Sequence, residues 1–201
     1  MTTAPGVPPR VEVGRRKTLH DGFIHLESVE IRERMADGSV HTAWREIHDH
    51  GHGVGVLPVD PVRRTVLLVR QLRYPALLLG DAPLLVEVCA GLREEDEDPA
   101  ACTLREAEEE LGYRVHDLDL VCDAYMSPGS VTERLNLYLA TYSPADRLSA
   151  GGGLVHEGEH IEVLEWSCAD LARAVRERTL RDGKTVILAL ALMVHRPELF
   201  V

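Results

Sequence analysis

The sequence predicts an α/β fold: a mixed β-sheet sandwiched between helices, with a small N-terminal antiparallel β-sheet subdomain. Two observations carry the prediction. Apolar, β-branched runs of strand length stand on both sides of one central acidic helix. Two further helical patterns close the chain, and strands on either side of a helix followed by terminal helices fit a mixed sheet between helices.

Residues 1–10 hold three prolines and no hydrophobic period, and read as a mobile tail. Residues 11–50 form the N-terminal β subdomain, in which runs 23–32 and 40–48 are strands joined by a turn at Asp37-Gly38. Residues 51–201 form the main domain. There, 54–59 and 65–72 are apolar runs split by Asp60-Pro61, a second hairpin. Run 84–90 delivers the chain to Gly91. Asp98 suits an N-cap, Pro99 the first helical position and Gly112 a left-handed stop, so a helix spans the interval. Runs 118–125, 135–142 and 161–166 are strands, and 169–177 and 184–195 are helices. The single low-complexity segment is Gly151-Gly152-Gly153.

The chain has 201 residues, enough for one domain with a full core and a small accessory sheet. A formal net charge of −11 with no basic cluster argues against binding a long nucleic acid, while a small anionic substrate stays compatible if cations reverse the local sign. Cys89, Cys102, Cys122 and Cys168 lack paired metal spacing, and no segment reads as a secretory signal or a bilayer span. A cytoplasmic protein with four reduced thiols is expected.

The chemistry concentrates in GLREEDEDPAACTLREAEEELGY, residues 91–113. At about 100° per residue, Glu106, Glu109 and Glu110 share an arc of roughly 100° on the helix. Ala100, Leu104, Ala107 and Leu111 lie roughly 130° away and are its expected buried stripe. Like charges one turn apart repel, so a crowded acidic face makes sense where a cation sits. Oxygen ligands with no cysteine or histidine suit Mg2+, with Mn2+ as a substitute. Arg105 can pair with Glu109 one turn on, and Glu108 faces solvent.

Gly91, Glu97, Arg105, Glu106, Glu109, Glu110 and Gly112 stand in a spacing that resembles the box of the Nudix hydrolases, which cleave nucleoside diphosphates linked to another group. Seven fixed residues at about 6% each arise by chance in such a chain at roughly 10⁻⁶. Ala107 departs from the pattern, being small where a larger aliphatic is usual. VCAGL at 88–92, YMSPGSVTE at 125–133, AGGG at 150–153, EGEHIEVLE at 157–165 and RDGKTVILAL at 181–190 extend the resemblance over roughly 18–195. Together they look like the branch acting on GDP-mannose and related nucleotide sugars, close to ADP-ribose pyrophosphatases. Cys89 stands where the latter usually carry proline.

The resemblance implies roles. The Ala90 carbonyl joins Glu106, Glu109 and Glu110 in holding metal. Glu157 or Glu159, in a glycine-flanked loop, positions the attacking water, and the choice between them stays open. Substrate contacts fall to Phe23, Trp44, Arg45, Glu46, Arg73, Glu133 and Lys184. Guanidinium groups at Arg45 and Arg73 suit bidentate phosphate recognition. Trp44 stands where the branch often has a basic residue, and Phe23 and Trp44 are either stacking platforms or core. N-terminal residues of this kind often reach a partner subunit's site, so a homodimer is implied. His48, His50 and His52 alternate as on one strand face but lack a nearby carboxylate or cysteine to complete a tetrahedral zinc set.

The expected activity is Mg-dependent hydrolysis of a nucleoside diphosphate sugar, GDP-mannose giving GMP and mannose 1-phosphate. ADP-ribose or an ADP-sugar is the alternative substrate. A nucleotide-sugar sensor without turnover is the alternative of another class, disfavoured because a pure binder gains little from clustering repulsive charge.

Overall fold

A computed structural model describes residues 10–154 and 160–201. The tail expected over 1–10 lies, apart from Arg10, outside the described residues. The chain divides into two compact units. One takes the chain up to Gly51 and adds Tyr125–Glu133; the other comprises His52–Ala124 and Arg134–Val201. The sequence reading had kept 125–133 within the main domain.

The first unit is an antiparallel meander of β1 (Val11–Asp21), β2 (His25–Arg34) and β3 (Val40–Asp49). The expected turn is present, with Gly38 at a φ of +86°. β1 was not foreseen. VEVGRRKTLHD has no clean apolar alternation because nearly every residue of the strand is exposed, and its pairing with β2 slips twice. Central β2 is the best covered, and its buried Glu30 accepts from the Arg15 backbone and from the Arg15 and Arg32 guanidinium groups, which hold its carboxyl below the usual range. The added segment pairs through His48 and Val131.

In the second unit a seven-stranded sheet runs β10-β5-β4-β9-β8, with β6 paired to β5 and β7 to β4. These are β4 (Gly53–Asp60), β5 (Thr65–Leu72), β6 (Leu84–Glu87), β7 (Cys89–Leu92), β8 (His116–Tyr125), β9 (Arg134–Thr141) and β10 (Glu162–Ser167). β4 lies parallel to β9 and antiparallel to β5 and β7, so the sheet is mixed. Every residue of β4 is buried, the mark of a strand covered on both faces. Val56, Leu67, Val69, Tyr138 and Ala140 meet Ala107 and Leu111 in one core layer. Their neighbours Leu57, Val66 and Leu68 point the other way and are buried too.

The helices are α1 (Tyr74–Leu78), α2 (Pro99–Glu106), α3 (Cys168–Glu177) and α4 (Gly183–His195). Asp182 caps α4 by accepting from Thr185 N at 2.9 Å, and Ser167 caps α3 through Asp170 N. α1 was missed, since YPALL is too short to show a period. The apolar run expected over 84–90 is broken at Val88 into β6 and β7. No helix among the described residues is long and apolar enough to cross a membrane.

The helix bearing the acidic face starts where the sequence places it. Asp98 accepts from Ala100 N at 2.9 Å and Ala101 N at 3.2 Å, with Pro99 in the first turn. Asp98→Ala is expected to cost about 1 kcal/mol. In a chain of this size thermal denaturation should read that as a fall in Tm of roughly 2–4 °C. An unchanged Tm would mean that the cap contributes nothing.

Candidate active site

α2 does not continue as an α-helix to Gly112. After Glu106 the chain widens into a π-helical turn, Ala107–Leu111, and Gly112 ends it at a φ of +73°. Two carbonyls of that turn are taken by the triple glycine. Gly152 N donates to Glu110 O at 2.8 Å and Gly153 N to Glu109 O at 3.2 Å, while Leu148 N and Ser149 N both donate to Gly112 O. Gly112 and Gly151 interlock: a Cβ on either would run into the other segment's backbone, and both have positive φ.

The helix and its widened turn bury a different set of side chains from the expected stripe. Leu104, expected in the buried stripe, is 41% exposed, whereas Cys102, Thr103, Glu106, Ala107, Glu110 and Leu111 face inward. Two of the three glutamates are thus inside the fold, Glu106 at 8% exposure and Glu110 at 2%, with Glu109 at their rim. Glu108 is exposed, 3.7 Å from Arg114.

One guanidinium answers most of this charge. Arg105 donates Nε and Nη2 to the two oxygens of Glu97, both at 3.1 Å, and Nη1 to Glu106 at 2.8 Å and Glu109 at 3.1 Å. Nη2 also reaches Leu92 O at 3.4 Å, so all five N–H groups of the fork find an acceptor. The fork raises the Arg105 pKa, chiefly through Glu97, and holds the Glu97 carboxyl down to about 2. Glu97 itself closes the loop by accepting from Glu94 N at 3.0 Å.

Glu110 is held from β7. Ala90 N donates to its Oε2 at 3.1 Å, and the Cys89 thiol hydrogen-bonds the same carboxylate. Burial first, then the charge and hydrogen bond of Glu110, push the Cys89 thiol well above its usual range, so it stays a neutral donor. Beside them Gly91 explains itself: a Cβ there would occupy the position of the Glu106 carboxylate.

Arg73 and Lys184 converge on buried Glu87. Arg73 binds it bidentately at 2.5 and 2.7 Å, and Lys184 Nζ lies 3.0 Å from Glu87 Oε2 and 2.7 Å from Asp182 Oδ1. In the first unit Phe23 is 84% exposed at the turn before β2, and Trp44 is 45% exposed with the Arg15 guanidinium 5.5 Å from its ring centroid. Neither is core. Trp44 and Glu46 share one face of β3, and Arg45 projects from the other, its Nη1 on Trp44 O at 3.2 Å. Glu133 accepts from His50 Nε2 at 3.1 Å, and His50 Nδ1 lies 3.1 Å from His48 Nε2. The carboxylate that the histidine run lacked in sequence therefore arrives from 83 residues away. Glu157 and Glu159 lie outside the described residues.

Among the described residues no three His, Cys, Asp or Glu side chains form a ready metal cage. The chemistry of the donors nonetheless fits a hard divalent cation: two inward-facing carboxylates and a rim carboxylate gathered beside a turn without a Cβ, with no soft ligand required. Sequence reading found these carboxylates but missed Glu87, Cys89, Asp182 and Thr185, which act by contacts visible only after folding. For Glu87 the one signal was a charged residue within an otherwise apolar run.

Carboxylates gathered at a glycine turn, on a mixed sheet between helices, make a site suited to a hard divalent cation. The NUDIX domain profile matches residues 49–188, and the chain belongs to the Nudix family, whose hydrolases generally use divalent metal ions. It is 39% identical over 179 residues to the GDP-mannose pyrophosphatase of Cronobacter sakazakii (strain ATCC BAA-894), covering 89% of this chain and 92% of that protein. Against the GDP-mannose pyrophosphatase of Salmonella paratyphi B (strain ATCC BAA-1250 / SPB7) the identity is 40% over 173 residues, 86% of this chain and 89% of the other. A crystal structure of an ADP compounds hydrolase shares the fold, with a TM-score of 0.69 at 16% identity over 96% of this chain and 97% of that one.

The depressed Glu97 carboxyl sets a pH dependence. Its pKa is lowered from 4.5 to about 2, so the stability it contributes is present above about pH 4.5 and lost as pH falls towards about 2. Acid denaturation followed by circular dichroism should show this loss in the native protein. In Glu97→Gln the stability should be lower at neutral pH and depend less on pH across that window. Equal slopes in the two proteins would remove the Arg105–Glu97 pair from the account.

Proposed function

We propose that this protein hydrolyses the diphosphate bond of a nucleoside diphosphate sugar, GDP-mannose giving GMP and mannose 1-phosphate, with Mg2+ as the cofactor and Mn2+ as its substitute. The observation that carries the reading is the pair of inward-facing carboxylates, Glu106 and Glu110, gathered beside Gly91 in a chain whose relatives are GDP-mannose pyrophosphatases.

In this reading Glu106, Glu109, Glu110 and the Ala90 carbonyl hold the metal. Bound there, the cation neutralises diphosphate charge that otherwise repels a nucleophile, and makes the attacking water more acidic. Arg105 orients Glu106 and Glu109, and the Ala90 amide with the Cys89 thiol orients Glu110. Glu157 or Glu159 orients the water. Arg73, Lys184, Phe23, Trp44, Arg45, Glu46 and Glu133 bind substrate on the strength of the family resemblance. Exposed Phe23 and Trp44 suit stacking on a base. We place the protein in the cytoplasm as a homodimer without nucleic-acid or membrane partners; a monomer at equilibrium would remove the dimer.

Product analysis by chromatography tests the substrate. Purified protein with Mg2+ should release GMP from GDP-mannose much faster than AMP from ADP-ribose. Faster AMP release would move the assignment to ADP-sugars, and no release from either would leave another nucleotide sugar or a sensor in front. Glu110→Gln should lower turnover by at least about 100-fold, roughly 2.7 kcal/mol of barrier. Comparing Glu157→Gln with Glu159→Gln decides between the loop acids, with the larger loss of kcat marking the one that orients water.

A further inference from the structure

Four consecutive residues, Glu87 to Ala90, are each gripped by a side chain from another part of the second unit. The Glu87 carboxylate lies between Arg73 and Lys184. Val88 N donates to Thr185 Oγ1 at 2.8 Å. The Cys89 thiol and Ala90 N both reach the Glu110 carboxylate. Val88 lies at the break between β6 and β7, where no strand residue takes its place in the sheet. Its backbone is fixed by a helix terminus instead.

Thr185 is fully buried, and its hydroxyl performs two tasks at once. It donates its single proton to Asp182 Oδ2 at 2.6 Å and accepts from Val88 N. Asp182 is the N-cap of α4, also accepting from Thr185 N and from Lys184 Nζ. Burial opposes ionisation of Asp182 most, yet the charge and hydrogen bond of Lys184 together with the two hydrogen bonds from Thr185 outweigh it and keep the carboxyl below its usual range. A charged Asp182 dictates that the hydroxyl proton points to it, which leaves the oxygen lone pair for Val88.

We infer that Thr185 is a positioning residue for the metal site: by holding Val88 on the capped end of α4, it sets the direction in which β7 presents Ala90 and Cys89 to Glu110. The inference rests on the proposed metal-binding reading of Ala90 and Glu110. Valine matches threonine in shape but supplies neither acceptor nor donor, whereas serine supplies both.

The test compares wild type with Thr185→Val and Thr185→Ser by electron paramagnetic resonance titration of free Mn2+, by kcat and KM for GDP-mannose in saturating Mg2+, and by Tm. In Thr185→Val, Mn2+ affinity and kcat should each fall about 10- to 100-fold, the range for groups that orient metal ligands. KM should move far less than kcat, and the serine variant should recover most of both losses. Wild-type Mn2+ affinity in Thr185→Val, or losses in both variants that follow only their Tm, would overturn the inference. If the valine variant does not fold, Thr185→Cys, with its weaker acceptor and donor, should bind Mn2+ less tightly than Thr185→Ser; equal affinities would overturn it. Mn2+ titration does not depend on the substrate, so a wild type that binds Mn2+ without cleaving GDP-mannose would sink the substrate assignment alone. A wild type that binds no Mn2+ would sink both.

Discussion

Negative charge gathered at one turn of a fold, and a single guanidinium to answer it, is the constraint around which the site is organised. Ionised carboxylates are costly to bury unless paired and hydrogen-bonded. Arg105 meets Glu97, Glu106 and Glu109 with every N–H of its fork engaged, and Glu110 is met separately from β7. A lysine has no planar fork and could not span three carboxylates in this way. The residues around the fork follow from it. Gly91 leaves space for the Glu106 side chain, and Glu97 folds the preceding loop back onto Arg105.

The widened turn is the second half of the same solution. A turn that departs from α-helical bonding needs outside partners for its carbonyls. The triple glycine brings backbone amides to Glu109 O and Glu110 O, at contacts too close for any side chain at Gly151. The glycines are thus required by approach and by φ, where composition alone suggests only flexibility. Their position ties residues 148–153 to Glu109 and Glu110 directly.

The sequence made legible whatever depended on local patterning. Asp98, Pro99 and Gly112 marked the ends of the acidic helix because caps are local devices, and the glycine, arginine and glutamate spacing marked the site. β4, β5, β9 and β10 were read from apolar runs that a buried sheet requires. What escaped depended on contacts distant in sequence. β1 has no buried face to impose alternation, and α1 has too few residues for a period. The exposure of Leu104 and the burial of Cys102, Thr103 and Glu106 within α2 depend on how the helix packs on the sheet, which helical periodicity alone does not give. The three glutamates were read as one acidic face of the right helix, and the fold buries two of them there.

Arg73 and Lys184 show why a cation near a phosphate-cleaving site need not act through phosphate alone. Both were read from sequence as substrate contacts, and both grip Glu87 in the fold. A buried ionic cluster is weak evidence for stability, since apolar side chains of similar volume often pack as well. What apolar groups lack is direction. Glu87 immediately precedes the residue held by Thr185, and two charged partners fix its side chain where the strand breaks. The same two cations thus brace the end of β6, next to the strand that carries Ala90. If both cations also bind substrate as proposed, recognition and the placement of Ala90 draw on one braced segment, so changes to either cation should be felt in both.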